Sequence, residues 1–110
     1  MEYRRYEDLE EDLKEEQQIE DNAVAVASES LSKEGFKETK ELNGVSFTMT
    51  HDNDVTVYHC QFYIDTEAET YSSYITSDTD GDKTTTFQQK GPVVDAPTAV
   101  DKFIQFLHGI

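Results

Sequence analysis

The chain lacks several features that define common classes of protein. Its 110 residues include one cysteine, Cys60, together with two prolines, five glycines and no tryptophan. A single cysteine excludes an internal disulfide and favours a reducing compartment. The five glycines form no glycine-rich phosphate loop. The longest apolar run, residues 23–27, is far too short to span a membrane.

Basic residues are also scarce. Nine Lys and Arg stand against 24 Asp and Glu, which gives a formal net charge of −15. A body of this charge is repelled by phosphates and anionic headgroups, so neither nucleic acid nor a membrane is expected as a direct partner. The charge is uneven, with −10 in residues 1–55 and −5 in residues 56–110. This asymmetry predicts an acidic interaction surface.

The remaining bulk properties indicate one folded domain, residues 1–110. Six Tyr and six Phe are more aromatic residues than a disordered chain usually contains, and the length allows a modest core. Charged and aromatic residues follow Met1, so we expect no signal peptide. The expected location is the cytoplasm, which is that of the host cell if the chain is viral.

The N-terminal region, residues 1–34, has the periodicity of a helix. Apolar residues first recur every three or four positions, at Tyr3, Tyr6, Leu9 and Leu13. A second apolar face contains Val24, Ala27 and Leu31. Asp21 or Asn22 can cap that second stretch, and Gly35 is a suitable terminator. We favour two helical segments over one long helix, because residues 14–22 have little apolar surface to bury.

Residues 36–90 predict an antiparallel sheet of four or five strands connected as a meander. Asn43-Gly44 and Asp80-Gly81 are hairpin signals, and HDND at 51–54 predicts a further turn. The stretch 55–64 is apolar on both faces, which is typical of a central strand. The other clear alternating stretches are residues 45–50 and 70–77.

A closing helix is predicted over residues 95–108. Gly91-Pro92 ends the strand pattern, and Asp95 is the expected N-cap. The apolar face of this helix contains Val100, Phe103, Ile104 and Leu107. The predicted fold class is therefore α+β, with an N-terminal acidic helical region, a four- to five-stranded antiparallel meander and a C-terminal helix packed on the sheet.

Residues 7–21, called the acidic segment below, hold nine carboxylates against one lysine, Lys14. As a helix the segment spans about 22 Å and carries one negative charge every ~2.5 Å, against one per ~1.7 Å in duplex DNA. Pairs four residues apart, such as Glu11–Glu15, are mostly like-charged and cost an isolated helix about 1–2.5 kcal/mol. Retained repulsion favours a use for the charge, as in a decoy for a phosphate-binding groove. The alternative is a solvated face or acidic tail.

Three other patterns have structural explanations. Residues 78–83, DTDGDK, lack the flanking Asp and Glu of a calcium loop, and a hairpin turn explains them. His59 and Cys60 are adjacent on a strand and point to opposite faces, so they cannot easily share a metal ion. The serines and Cys60 lack the sequence context of a nucleophile. We therefore predict no catalytic residue, no metal site and no cofactor, and we do not expect an enzyme.

These observations favour a small protein-binding inhibitor that mimics nucleic acid and blocks a basic partner. In size, acidity and α+β plan the chain resembles phage anti-defence proteins, including anti-CRISPR DNA mimics, and the immunity proteins of nuclease toxins. That resemblance implies a nucleic-acid-binding protein or a nuclease as partner. No motif of either group is matched, so it assigns no residue roles.

The predicted contacts are carboxylates of the acidic segment and of the second hairpin. They are Glu7, Asp8, Glu10, Glu11, Asp12, Glu15, Glu16, Glu20, Asp21, Asp78, Asp80 and Asp82. The alternative function is a non-catalytic adaptor or chaperone-like module whose acidic helix only solubilises it. In either case we expect a monomer or a weak homodimer.

Overall fold

Two helices and five strands follow one another in the order that the sequence periods predict. The structure is a computed structural model that describes the backbone of residues 2–110 and the side chains of residues 17–110. Its elements are α1 (Glu2–Lys33), β1 (Lys37–Glu41), β2 (Gly44–Asn53), β3 (Thr56–Asp65), β4 (Thr70–Thr79), β5 (Asp82–Pro92), a 3₁₀ turn (Val93–Asp95) and α2 (Ala96–His108). The α+β prediction is confirmed.

The five strands form one antiparallel sheet in the order β1-β2-β3-β4-β5. The central position predicted for β3 is confirmed, since β2 and β4 each pair along its full length. One face of β3 buries Cys60, Phe62 and Ile64, while His59 on the other face is exposed. A meander of this kind places alternate turns at the same end of the sheet.

The turns differ from the sequence expectation in two places. Asp80 and Gly81 both have positive φ, 54° and 90°, as the predicted second hairpin requires. The first hairpin turns at Leu42-Asn43, one residue earlier than predicted, because Glu41 pairs with Gly44. The predicted turn over 51–54 is wrong, since β2 continues to Asn53. The chain reverses only afterwards, at positions 54 and 55.

Gly44 is required by a close backbone approach. A Cβ atom at this position would overlap the carbonyl oxygen of Ile64 on the paired strand β3. The glycine of the Asn43-Gly44 pair therefore has a packing role, instead of supplying the positive φ that a type I′ turn needs.

The two ends of the sheet differ in what they carry. The end called the base below contains the β1–β2 turn, the β3–β4 loop at 66–69 and the exit from β5 at Pro92. The opposite end, called the hairpin end, contains the tight turns at 54–55 and 80–81. Ten-residue strands separate the two ends by about 30 Å.

Both helices cover the same face of the sheet. Phe103 of α2 is fully buried, and its ring centroid lies 5.5 Å from Phe36, 5.7 Å from Phe62 and 5.9 Å from Phe87. α1 contributes Ala23, Ala27 and Leu31, which are all fully buried. The predicted apolar face of α2 is confirmed, with Val100 and Phe103 buried and Ile104 and Leu107 partly buried against the core.

The preference for two N-terminal helical segments is wrong. α1 is a single helix of 32 residues that passes through the predicted break near residue 20. Gln17 donates a hydrogen bond to Asp21 (Nε2–Oδ1, 3.2 Å), so a side-chain pair spans that position. Packing of Ala23, Ala27 and Leu31 anchors the C-terminal half of the helix, and helix propagation is far less costly than a new nucleus.

The closing helix begins at the predicted position but is preceded by an unpredicted 3₁₀ turn. A 3₁₀ turn, Val93–Asp95, links Pro92 at the end of β5 to α2. Within the described residues, the carboxylate of Asp95 makes no capping hydrogen bond. Asp95 therefore occupies the N-cap position of α2 as predicted, without a side-chain capping bond, and Pro97 lies in the first turn of α2 as expected.

Ser73 on β4 is the most unusual polar residue of the core. Its side chain is 1% exposed, and no hydrogen-bond partner in the described part of the chain reaches its Oγ. Burying an unpaired hydroxyl costs free energy, so Ser73→Ala is expected to stabilise the protein by about 1 kcal/mol. The measurement is urea unfolding, with Ser72→Ala on the open face as a near-neutral control. A loss of stability in Ser73→Ala would show that the hydroxyl has a partner.

Candidate acidic interaction surface

The position of α1 on the sheet determines where the acidic segment lies. Ile19 borders a groove with Glu69, Pro92 and Val94, all at the base. Gly35, just after α1, lies beside Met49, half-way along β2. The helix therefore runs from the base toward the middle of the sheet. Its preceding residues, 2–18, continue past the base as helix.

The projecting part of α1 is long compared with the body. Seventeen helical residues extend about 25 Å. The molecule measures 66 × 24 × 23 Å, in agreement with a sheet about 30 Å long extended by such a helix. The backbone of the acidic segment is thus helical and leaves the body at one end.

The carboxylates predicted for the two acidic regions are not brought together. The side chains of Glu7, Asp8, Glu10, Glu11, Asp12, Glu15 and Glu16 lie outside the described part of the chain, while their backbone belongs to α1. Asp78, Asp80 and Asp82 lie at the hairpin end, about 30 Å from the base. Charges this far apart are independent at physiological salt, where the Debye length is about 8 Å. The fold therefore contains two separate acidic surfaces.

The base adds carboxylates that sequence reasoning missed. Five of them sit on the strand ends, the β3–β4 loop and the 3₁₀ turn: Glu41, Asp65, Glu67, Glu69 and Asp95. Lys40 and Lys90 lie within two residues of the same end. The acidic segment therefore rises from a base that is itself negative. The meander order was a usable signal, because it places the turn after β1 and the loop after β3 at one end.

Two tyrosines at the base have raised pKa values, mainly through burial and in part through nearby carboxylates. Partial burial raises the pKa of the Tyr63 phenol, and the carboxylates of Asp65, Glu41 and Glu67 raise it further. Burial likewise raises the pKa of Tyr71, with a smaller contribution from Asp95. Neighbouring carboxylates disfavour the phenolate anion, which is the effect expected of an anionic surface.

The C-terminal end of the acidic segment has described side chains. Asp21 is exposed and accepts the hydrogen bond from Gln17. Glu20 is half-buried where α1 reaches the base. These two predicted contact residues therefore lie at the junction of the projecting helix and the acidic base.

The described residues offer little support for nucleophilic or metal chemistry. Burial raises the pKa of the Cys60 thiol to about 11, so little thiolate forms at neutral pH. His59 and Cys60 lie on opposite faces of β3. Among residues 17–110, no three His, Cys, Asp or Glu side chains are grouped so as to hold a metal ion. No described helix combines the length and apolar character of a membrane span.

The sheet face opposite the helices is a second candidate surface. An open cleft there is lined by Lys37, Thr48, Thr50, His59, Gln61 and Tyr74, among others. Tyr74 is 39% exposed, and its hydroxyl donates to Gln61 Oε1 at 2.6 Å. This face is polar, and no element of the described region covers it.

The fold places the protein in an architectural class but does not assign it to a family. The protein is an α+β domain in which two helices cover one face of a five-stranded antiparallel meander, and one helix extends beyond the sheet. The sequence matches no protein-family model, and no curated protein or solved structure matches it.

Proposed function

We propose that this protein is a non-enzymatic inhibitor that binds the nucleic-acid-binding surface of a basic protein. The observation that carries the proposal is the course of α1, whose acidic segment continues as a helix past an already acidic base. A helix with one charge every ~2.5 Å approximates the charge spacing of a nucleic-acid backbone. It fits between Lys and Arg side chains that otherwise hold phosphates.

The mechanism rests on electrostatic attraction and exclusion. The carboxylates of the acidic segment pair with the cationic groove, and the bound rod excludes DNA or RNA from it. The net charge of −15 accelerates the encounter with a cationic partner and keeps the inhibitor itself away from nucleic acid. The carboxylates of the base extend the contact toward the body. Those of the hairpin end, including Asp78, have no part in this interface.

The competing function is that of an adaptor. In that case the polar open face, with Tyr74 and Gln61, binds a partner, and the acidic segment only increases solubility. The two functions differ in the surface used and in the salt dependence of binding.

Capture from an extract of the cell of origin tests the proposal. The immobilised protein is expected to retain a basic nucleic-acid-binding protein at 50 mM NaCl and release it at 500 mM. For the purified pair, the affinity should fall by about two orders of magnitude over that range. Duplex DNA or RNA should compete with the inhibitor for the captured protein. An affinity that changes less than threefold, or a partner that binds both at once, would contradict the proposal.

A further inference from the structure

The two edges of the sheet differ in how readily they can accept a further strand. β5 forms one edge, and its pairing with β4 shifts register between Ile75 and Thr76. A bulge of this kind bends the strand and hinders pairing on its outer side. β1 forms the other edge, pairs with β2 in a regular register and exposes all five of its residues. β1 is therefore the edge at which the sheet can be extended.

The charges of β1 are complementary to themselves. Its sequence, KETKE, has residues of opposite charge at equal distances on either side of Thr39. Consider a second copy of β1 that runs antiparallel to the first, with Thr39 opposite Thr39. Lys37 of each copy then faces Glu41 of the other, and Glu38 of each faces Lys40 of the other. Such opposite-charge pairs directly across a ladder are stabilising.

Charge also selects this register among the alternatives. Facing side chains in an antiparallel ladder lie on the same side of the sheet, so the alternative registers are shifted by two residues. One such shift places Glu38 opposite Glu38, and the other places Lys40 opposite Lys40. Like charges directly opposite each other are destabilising. The register centred on Thr39 therefore pairs every charge of β1 with its opposite.

The charged groups of β1 are available for these pairs. Within residues 17–110, Lys37, Glu38 and Lys40 take part in no ion pair. Glu41 accepts a hydrogen bond from the hydroxyl of Ser46 (Oγ–Oε1, 3.1 Å). This bond orients the carboxylate of Glu41 beside the edge and leaves its second oxygen for a lysine.

A large apolar side chain next to β1 also has little cover. Leu42, in the β1–β2 turn, is 99% exposed. In the register centred on Thr39, position 42 of one copy lies opposite position 36 of the other. Phe36 belongs to the core and is 6% exposed. Pairing of two β1 strands therefore brings Leu42 toward the apolar edge of the second core.

The distribution of charge limits the repulsion between two copies. The net charge of −15 opposes association, but β1 itself is neutral, with two lysines and two glutamates. Antiparallel pairing about a two-fold axis places the bases of the two copies at opposite ends of the joint sheet. The helical backbone of residues 2–18 continues past the base of each copy. The two acidic segments therefore project in opposite directions and are not brought together.

We propose that a second copy of this chain pairs with the β1 edge, so that the two five-stranded sheets join into one continuous sheet. The interface is isologous, because the same strand contributes both sides. A second copy fits because it carries the order of charges that KETKE requires. The inference goes beyond the proposed function and does not depend on it, since the acidic segment takes no part in the pairing.

Sedimentation velocity at 150 mM NaCl tests the pairing with the full chain. The average mass of the wild type is expected to rise from monomer toward dimer between about 5 and 500 µM, since a five-residue strand gives a small interface. One double variant combines Glu38→Lys with Glu41→Lys, and a second combines Lys37→Glu with Lys40→Glu. Each places like charges opposite each other, so its dissociation constant should rise at least about tenfold.

An equimolar mixture of the two double variants is the matched control. Lysines of one variant then face glutamates of the other, so association should return to about the wild-type level. This recovery separates a lost pairing from misfolding and from a general effect of net charge. Far-UV circular dichroism verifies the fold of each variant alone.

A cysteine on the two-fold axis tests the register. Residues directly opposite each other in an antiparallel ladder have Cα atoms about 4.5–5.5 Å apart, which is within reach of a disulfide. Thr39→Cys is therefore expected to form a covalent dimer under mild oxidation. Thr85→Cys, exposed on the other edge strand, should remain monomeric. The native Cys60 is buried and contributes little to cross-linking.

Three results would overturn the inference. The first is a wild type that stays monomeric up to about 500 µM. The second is a dimer that both double variants leave unchanged, or a mixture of the folded variants that does not associate, because another surface would then join the copies. The third is equal cross-linking of Thr39→Cys and Thr85→Cys. None of these results affects the capture of a basic partner, so the proposed function is tested separately.

Discussion

Phe103→Ala is expected to lower the free energy of unfolding by about 3–5 kcal/mol. Phe103 is fully buried and joins α2 to β3 through Phe62, to β5 through Phe87 and to the entry of β1 through Phe36. Its removal leaves a cavity where these three rings meet. A domain of this size has a total stability of about 5–15 kcal/mol, so the loss is a large fraction.

Urea unfolding followed by far-UV circular dichroism measures this loss. Phe106→Ala is the matched control, because Phe106 lies on the same helix and is 37% exposed, with its ring centroid 4.8 Å from Phe87. The control should cost about 1 kcal/mol, since much of that ring already contacts water. A loss below 1.5 kcal/mol for Phe103→Ala would contradict the central role given to this residue.

Much of the fold follows from local patterns in the sequence. Alternation of apolar and polar residues predicts the strands, and Asp80-Gly81 predicts its hairpin because those two residues tolerate positive φ. The central position of β3 follows from apolar residues on both of its faces. Each of these properties depends on residues close together in the chain, so tertiary contacts do not override them.

The structure differs from the sequence-based prediction where contacts between distant parts of the chain determine the local conformation. The break expected near residue 20 does not occur, because packing of Ala27 and Leu31 anchors a helix that then propagates through a polar stretch. Asp95 occupies the predicted N-cap position, but it ends a 3₁₀ turn and its carboxylate makes no capping hydrogen bond. Local propensity gives no information on either outcome.

Only part of the candidate acidic surface could be predicted from the sequence. The charge of residues 7–21 is visible in the sequence. The distance between this segment and Asp78, Asp80 and Asp82 depends on the direction in which α1 crosses the sheet. That direction is set by the contacts of Ile19 at the base and of Gly35 beside Met49. The added carboxylates of the base follow from the meander order.

In the proposed function the acidic segment is a binding element and does more than increase solubility. Neutralising Glu10, Glu11, Glu15 and Glu16 with Gln is expected to weaken binding to the captured partner by about 2–4 kcal/mol, or roughly 30- to 800-fold. The change also removes the like-charged pair Glu11–Glu15, so the helix itself should not be destabilised. A loss of binding would therefore result from the loss of charge contacts and not from unfolding of the helix.

The two acidic surfaces supply a control of equal net charge. Asp52, Asp54, Asp80 and Asp82 are exposed at the hairpin end, and their replacement by Asn raises the net charge by the same four units. Asn tolerates the positive φ of Asp54 and Asp80. Asp78 is retained because its Oδ1 accepts the backbone N–H of Gly81 at 3.0 Å.

The most direct test compares the partner affinities of these two variants at 150 mM NaCl. We expect the Glu→Gln variant to lose at least about 30-fold in affinity, while the Asp→Asn variant changes by less than about twofold. Equal losses in both would show that only the overall charge matters. Unchanged binding of the Glu→Gln variant would rule out the acidic segment as the binding element and favour the adaptor function.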